Sequence, residues 1–269
     1  MTMLKTTGII KLTLRENLRG QLLWTSAISG CILLVLMAVL SGVALSHEAR
    51  VIDVVSYFAA DQLLLFVALL SGSSICSNDF SSRGIAELYI PAGASRQSVY
   101  LARMIAYAAV LLMLAIALFA IKIFALPGFS EISYGMNLQI QLLMLFYSWL
   151  KGISALAIAG LIGSLVRPLY AVLATVTLFS FGHLTSSLDS LVNSGVTLNP
   201  GVDVSQTNLF LLGLLKVWNP NLLVVESARG EWILPPTLQI IQAAAWALSC
   251  ISISTGLACA KLNKIDLRP

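Results

Sequence analysis

Three ionisable side chains, Asp61, Lys151 and His183, stand within long apolar stretches and are the strongest candidates for buried polar chemistry. Each lies about 12–16 residues from the same membrane boundary, which is roughly 18–24 Å at a rise of about 1.5 Å per helical residue. Because a charge in hydrocarbon is costly, such residues usually face a bundle interior and pair. We predict an Asp61–Lys151 ion pair, with His183 nearby, lining the outward part of a pathway. The alternative is that Asp61 reaches outer water and Lys151 extends to the boundary, each on its own.

Catalytic motifs are absent from the sequence. It contains no Walker loop (Gly-x-x-x-x-Gly-Lys-Ser/Thr), no His-Glu-x-x-His pattern and no Gly-x-Ser-x-Gly nucleophile elbow. The other histidine, His47, stands at a predicted loop tip, and no metal-ligand spacing occurs. We predict that this chain is not an enzyme and holds no cofactor or metal of its own.

The composition is that of a membrane protein. Hydrophobic residues make up 58% of the chain and charged residues 10%, whereas soluble domains carry roughly 25% charged residues. A spanning helix needs about 20 apolar residues, and these apolar runs do not alternate as barrel strands do. The qualifying segments are Leu22–Leu45, Val54–Ser77, Arg103–Leu126, Leu138–Val166, Leu169–Leu188 and Pro236–Ala260. We predict an all-α integral membrane protein with six transmembrane helices. It forms one domain over 1–269, with the bundle at 22–260 and a tail at 261–269.

Basic residues predict the orientation, because Lys and Arg are retained on the cytoplasmic side. With the N-terminus inside, eleven of the 16 Lys and Arg fall on the inner side, four fall outside, and Lys151 lies within a span. Six spans return the chain to the inside, so both termini are predicted to be cytoplasmic in a plasma (inner) membrane. The net charge of +4 then reflects topology and not nucleic-acid binding.

Residues 1–21 precede the first span and show helical spacing. One row of side chains contains Ile10, Leu14 and Leu18, and the next contains Lys11, Arg15 and Arg19. This pattern predicts an interfacial helix with its apolar row in lipid and its cations against anionic headgroups. The alternative is an ordinary basic flank that happens to be helical.

The fourth span is rich in small residues. Ala155, Ala159 and Gly163 share one face at four-residue spacing. Such faces let membrane helices approach closely, so we predict a helix central to the bundle or to a dimer interface. The short turn at 164–168 predicts a tight antiparallel hairpin with the fifth span.

A polar segment interrupts the apolar runs between the second and third spans. Residues 79–89 are predicted to form a short amphipathic helix, and Pro91 and Gly93 break it before the next span. We interpret it as a cytoplasmic coupling helix on which a soluble partner acts. The candidate coupling residues are Phe80, Arg83, Gly84, Glu87, Leu88 and Arg96.

The connection Asp189–Pro235 is the one long loop predicted. Its apolar pieces are shorter than about 17 residues and cannot span the bilayer. Trp218 and Trp232 are typical of anchors at a membrane interface. We interpret the loop as an outer cap or gate, with a simple linker as the alternative.

The stretch Gly84-Ile85-Ala86-Glu87-Leu88-Tyr89, followed by Ser95-Arg96, resembles the elbow of the ABC-2 type permeases, the membrane subunits of ABC exporters. The elbow of that family runs acidic, small, Gly-Thr-Leu-Glu, several Leu, then Pro-x-Ser-Arg and a Lys that starts the third span. Here Arg103 takes the place of that Lys, Gly93 stands at the usual proline, and Pro91 comes two residues early. The order of amphipathic helix, six spans, inner elbow and long outer loop extends the resemblance over the whole chain.

The resemblance implies a half-transporter. Two copies, or one copy and a sister permease, would enclose the pathway, and separate cytosolic ATPase subunits carrying ATP and Mg²⁺ would drive export. The residues leave two other classes open, a secondary transporter or channel without an ATPase and a membrane anchor that recruits a soluble complex. The halves of the sequence do not match each other as the halves of inverted-repeat transporters do.

Overall fold

The structure is a computed structural model and describes residues 2–19, 24, 28, 30–32, 35, 39, 48–79, 95–125, 138–193, 227–228, 231–232 and 234–263. Three predicted features lie outside these residues: the coupling segment at 80–94, most of the first apolar run and most of the outer loop. Phe80, Arg83, Gly84, Glu87 and Leu88 therefore have no structural description.

Six helices with defined bounds make up most of the described chain. They are α1 (Thr2–Arg19), α2 (Glu48–Asp79), α3 (Arg96–Ala125), α4 (Leu138–Gly163), α5 (Pro168–Asn193) and α6 (Thr237–Leu262). Two short strands, β1 (Ser227–Ala228) and β2 (Glu231–Trp232), pair antiparallel inside the predicted outer loop. The helical class is confirmed for the described residues, and the small hairpin is a feature that the sequence did not predict.

The helix boundaries follow local sequence signals. The hydroxyl of Ser95 accepts a hydrogen bond from the backbone N–H of Ser98 at 3.2 Å, which caps the first turn of α3. Pro168 begins α5, a position where proline suits the helix because its missing N–H has no partner there in any case. Only residues 164–167 connect α4 to α5, as the predicted tight hairpin requires.

Four helices in the described part of the chain are long and apolar enough to cross a membrane. Their apolar portions are Tyr57–Ile75, Arg96–Ala120, Gln139–Gly163 and Thr237–Leu262, and Pro168–Gly182 is a shorter apolar helix. These helices indicate a protein embedded in a membrane. The six-span arrangement stays a prediction, because the first apolar run falls mostly outside the described residues.

Helix α4 is central, as its small residues predict. It packs most extensively against α2 and α6 and also contacts α3 and α5. Ala155, Ala159 and Gly163 are all buried. A Cβ built on Gly163 would lie 2.7 Å from the carbonyl oxygen of Ser73, and one built on Gly72 would lie 2.5 Å from the carbonyl oxygen of Leu156. The backbones of α2 and α4 therefore touch, with no room for a side chain between them.

We expect Gly72→Ala to destabilise the protein and Gly256→Ala to leave it unchanged or slightly more stable. At Gly72 the new methyl meets backbone that has to move, and overpacking of this kind costs typically about 1–3 kcal/mol. At Gly256, on α6, nothing lies within 4 Å of the built Cβ, and alanine favours a helix by roughly 0.5–1 kcal/mol. Thermal unfolding of both variants in the same detergent makes the comparison. Equal effects of the two substitutions would contradict close packing of α2 on α4.

One end of the bundle gathers α1, the start of α3 and the end of α6. The side chain of Ile9 packs on Val99 and Ala102, and the guanidinium of Arg96 donates to the carbonyl oxygen of Leu262 at 3.3 Å. The face of α1 that packs is centred on Ile9 and Thr13, one residue away from the predicted row. Small side chains on α3 accept this face, and the row of Ile10 and Leu14 lies beside it, half-buried.

Candidate functional site

An ion pair joins α2 to α4 inside the bundle. The ammonium of Lys151 donates to Oδ2 of Asp61 at 2.7 Å, and the two side chains are only 3% and 6% exposed. The predicted Asp61–Lys151 pair is thus confirmed as a contact. Its role in a pathway stays a prediction.

A second polar contact lies one helical turn away along the same two helices. The hydroxyl of Ser148 donates to the phenol oxygen of Tyr57 at 2.9 Å. Tyr57 precedes Asp61 by four residues and Ser148 precedes Lys151 by three, so both contacts fall on facing sides of α2 and α4. We call these four residues the polar seam.

The polar seam and the glycine contacts fix the relative direction of the helices. Contacts run from Tyr57–Ser148 through Asp61–Lys151 to Ser73–Gly163, so α2 and α4 are parallel. Helix α3 runs the other way, because the indole N–H of Trp149 donates to the Ala108 carbonyl while Gly160 faces Tyr100. This pattern is what alternating spans require, since α2 and α4 are separated by one intervening crossing.

The second carboxylate oxygen of Asp61 keeps its hydrogen-bonding capacity. No donor among the described residues reaches Oδ1, although the atom is buried. A buried acceptor without a donor is costly, so a hydrogen-bond donor that reached this point would be bound favourably. Within α4, the hydroxyl of Ser154 donates to the backbone carbonyl oxygen of Lys151 at 2.7 Å.

Of the other predicted site residues, Arg96 and the small residues of α4 lie outside the polar seam, whereas the proximity of His183 stays a prediction. The backbone of His183 belongs to α5, and its side chain is outside the described residues. Arg96 lies at the end of the bundle, where it binds Leu262 of α6. Ala155, Ala159 and Gly163 line the close contact between helices and carry no polar chemistry.

The start of α3 is held by a further ion pair. The guanidinium of Arg103 donates to the Glu16 carboxylate of α1 at 2.9 Å, with the arginine side chain 5% exposed and the glutamate 44%. Arg103 is the residue matched above to the lysine that starts the third span. In this chain its charge ties α3 to α1.

A groove of about 320 Å³ lies between α2 and α5, which also contact each other. Gln62 and Ser180 contribute its polar groups, and leucine, phenylalanine and valine side chains line the rest. Asp61 and Lys151 do not line it, although Gln62 follows Asp61 directly in sequence. The ion pair is thus enclosed between α2 and α4.

Sequence reasoning missed two members of the polar seam, Tyr57 and Ser148. The signal was available, since each stands one turn before a predicted charge on the same helix face. Tyr57 and Ser148 were not predicted because their own side chains are uncharged, and uncharged tyrosine and serine are common in spans.

Comparison of the sequence with family models and with curated proteins finds no match.

Proposed function

We propose that this chain is the membrane-embedded permease subunit of an ATP-driven exporter of the ABC-2 type. Two permease subunits, identical or sister chains, form the substrate pathway, and separate cytosolic ATPase subunits supply ATP hydrolysis with ATP and Mg²⁺. The chain crosses the plasma membrane six times with both termini in the cytoplasm. Its coupling helix, between the second and third spans, receives the ATPase.

The observation that carries this proposal is the anchoring of the helix that follows the coupling segment. Residues 80–95, which include the coupling segment, connect the end of α2 to the start of α3. At that start, Arg96 is bonded to α6 and Arg103 to α1. A movement of the start of α3 would therefore be passed on to α1 and to the end of α6.

The transmitted motion would act on the contact between α2 and α4 at the polar seam. Helices α2 and α4 are joined by two polar contacts and by backbone contact at Gly72 and Gly163. Separation of α2 from α4 at the polar seam would expose Asp61 and Lys151 to a cargo. Intramembrane charges that face a bundle interior mark transport pathways in many membrane proteins.

The buried ion pair also favours a second candidate, a secondary transporter or channel that needs no ATPase. Charged pairs within spans occur in ion-coupled carriers as well. The two candidates differ in the partner they need, because only the exporter requires a bound ATPase. A membrane anchor has no need for an enclosed ion pair.

Co-expression with an ATPase encoded in a neighbouring reading frame tests the proposal. We expect the tagged chain to retain the ATPase through purification in a fixed ratio, and the complex to hydrolyse ATP. An ATPase variant lacking its Walker lysine is the control for hydrolysis. Transport by the purified chain alone, driven by an ion gradient and insensitive to ATP, would support the second candidate instead.

The orientation predicts a labelling pattern for single introduced cysteines. In a background without the native cysteines, Ser194→Cys and Ser205→Cys should react with an impermeant thiol reagent from outside. Ser82→Cys and Asn263→Cys should react only after the membrane is permeabilised. Labelling of position 82 from outside intact cells would contradict the six-span orientation.

A further inference from the structure

Helix α1 presents two chemically different sides. Ile9 and Thr13 face α3 and are almost fully buried. Lys11, Arg15 and Arg19 lie on the opposite side and are exposed. Their four-residue spacing places the three cations in one row along the helix.

No acidic side chain of α1 is available to neutralise this row. The only acidic residue in the helix is Glu16, and its carboxylate is bonded to Arg103 of α3. At the same end of the bundle the described residues include the cations Arg96, Arg167 and Lys261, and Asp79 as the last residue of α2. The exposed face of α1 is therefore positively charged and suits an anionic partner.

The position of α1 indicates what that partner is. Its fixed contacts fall on Val99, Ala102 and Arg103, within the first two turns of α3 and about 10 Å from its start. Because α3 is a candidate spanning helix, this level is a membrane boundary. Leu12, which is 37% exposed, lies among the cations and adds an apolar side chain to the same face.

We propose that the Glu16–Arg103 ion pair holds α1 in the orientation in which Lys11, Arg15 and Arg19 bind the headgroups of anionic phospholipids, the contact that their spacing predicts. A row of cations beside the exposed side chain of Leu12 fits a charged bilayer surface better than a soluble acidic protein. The Glu16–Arg103 pair also connects lipid binding to α3, because α1 is held on that helix. This inference needs a membrane-embedded chain but does not depend on an ATPase partner.

Hydrogen exchange of the full chain in lipid nanodiscs tests the inference. One preparation contains phosphatidylcholine alone, and the other contains phosphatidylcholine mixed with phosphatidylglycerol. The anionic lipid should slow exchange in α1 by roughly fivefold per cation, on the order of 100-fold for three. High salt should remove the difference, because exposed charges are then screened.

Variants show whether the slower exchange in anionic lipid depends on Lys11, Arg15 and Arg19. The triple variant Lys11→Gln, Arg15→Gln, Arg19→Gln should exchange equally in both lipids, whereas Arg167→Gln, which removes an exposed cation outside α1, should behave like the wild type. Glu16→Gln should speed exchange of α1 in both lipids, because its contact with Arg103 is weakened.

Two results would overturn the proposal. Equal exchange of wild-type α1 in the two lipids would exclude headgroup binding, and this comparison needs no variant to fold. A lipid effect that survives in the triple variant would place the binding elsewhere. Both nanodisc leaflets carry the same lipid, so the outcome is independent of the predicted orientation.

Discussion

Lys151→Met alone should severely destabilise the protein, and adding Asp61→Asn should restore most of the loss. The two side chains are bonded at 2.7 Å in the bundle interior. Removing one partner leaves an uncompensated buried charge, which costs about 3–5 kcal/mol, whereas removing both leaves two neutral side chains. The double variant is therefore expected to be more stable than Lys151→Met, although it carries one more substitution.

Thermal unfolding of the purified variants in one detergent measures this effect, with monodispersity on size exclusion as a second readout. Ser148→Ala is the matched control in the same polar seam, since it removes a neutral hydrogen bond to Tyr57 worth about 0.5–1.5 kcal/mol. It should be much milder than Lys151→Met. Strictly additive losses for Asp61→Asn and Lys151→Met would mean that the two charges do not depend on each other.

Phe80→Ala and Gly84→Trp should abolish association with the ATPase, and Arg83→Ala should only weaken it. In the predicted coupling helix, Phe80, Gly84 and Leu88 share one face at four-residue spacing. An aromatic side chain buried in a partner's groove contributes roughly 2 kcal/mol or more, and a rim ion pair contributes about 0–1 kcal/mol. Tryptophan at Gly84 would prevent the close approach of the two backbones.

Copurification of the ATPase with each tagged variant measures this association. The variants should remain in the membrane, because the coupling segment lies outside the spans. A cysteine introduced at position 263 should be labelled in each variant as it is in the wild-type background. That control separates loss of docking from loss of folding. Wild-type retention of the ATPase by both Phe80→Ala and Gly84→Trp would exclude the docking role and favour the candidate without an ATPase.

The sequence predicted the ion pair as one of two alternatives, and the fourth helix as central either to the bundle or to a dimer interface; the structure shows the ion pair and a central place in the bundle. Asp61 and Lys151 are charges in apolar runs at matched depth, and hydrocarbon leaves such charges few alternatives to pairing. Ala155, Ala159 and Gly163 permit close packing for a reason that is local to their helix. Both predictions rest on large energetic penalties for the alternative arrangements, and the observed packing agrees with both predictions.

The sequence was insufficient where tertiary partners decide. Ile9 is buried against Val99 and Ala102 of α3, and Ile10 packs against the same cluster half-buried, so the buried face is turned by one residue from the predicted row. The Glu16–Arg103 ion pair could not be predicted from the sequence, because the two residues are 87 positions apart. Such choices depend on shape and charge across two helices, which a single helical pattern does not contain.

ATP hydrolysis by an ATPase encoded in a neighbouring reading frame, measured in liposomes with and without this chain, decides whether the chain couples to an ATPase. We expect the wild-type chain to bind the ATPase to the membrane and to change its hydrolysis rate, and we expect Phe80→Ala and Gly84→Trp to do neither. An ATPase that stays in solution and hydrolyses ATP at one rate, whether or not the wild-type chain is present, would contradict this coupling.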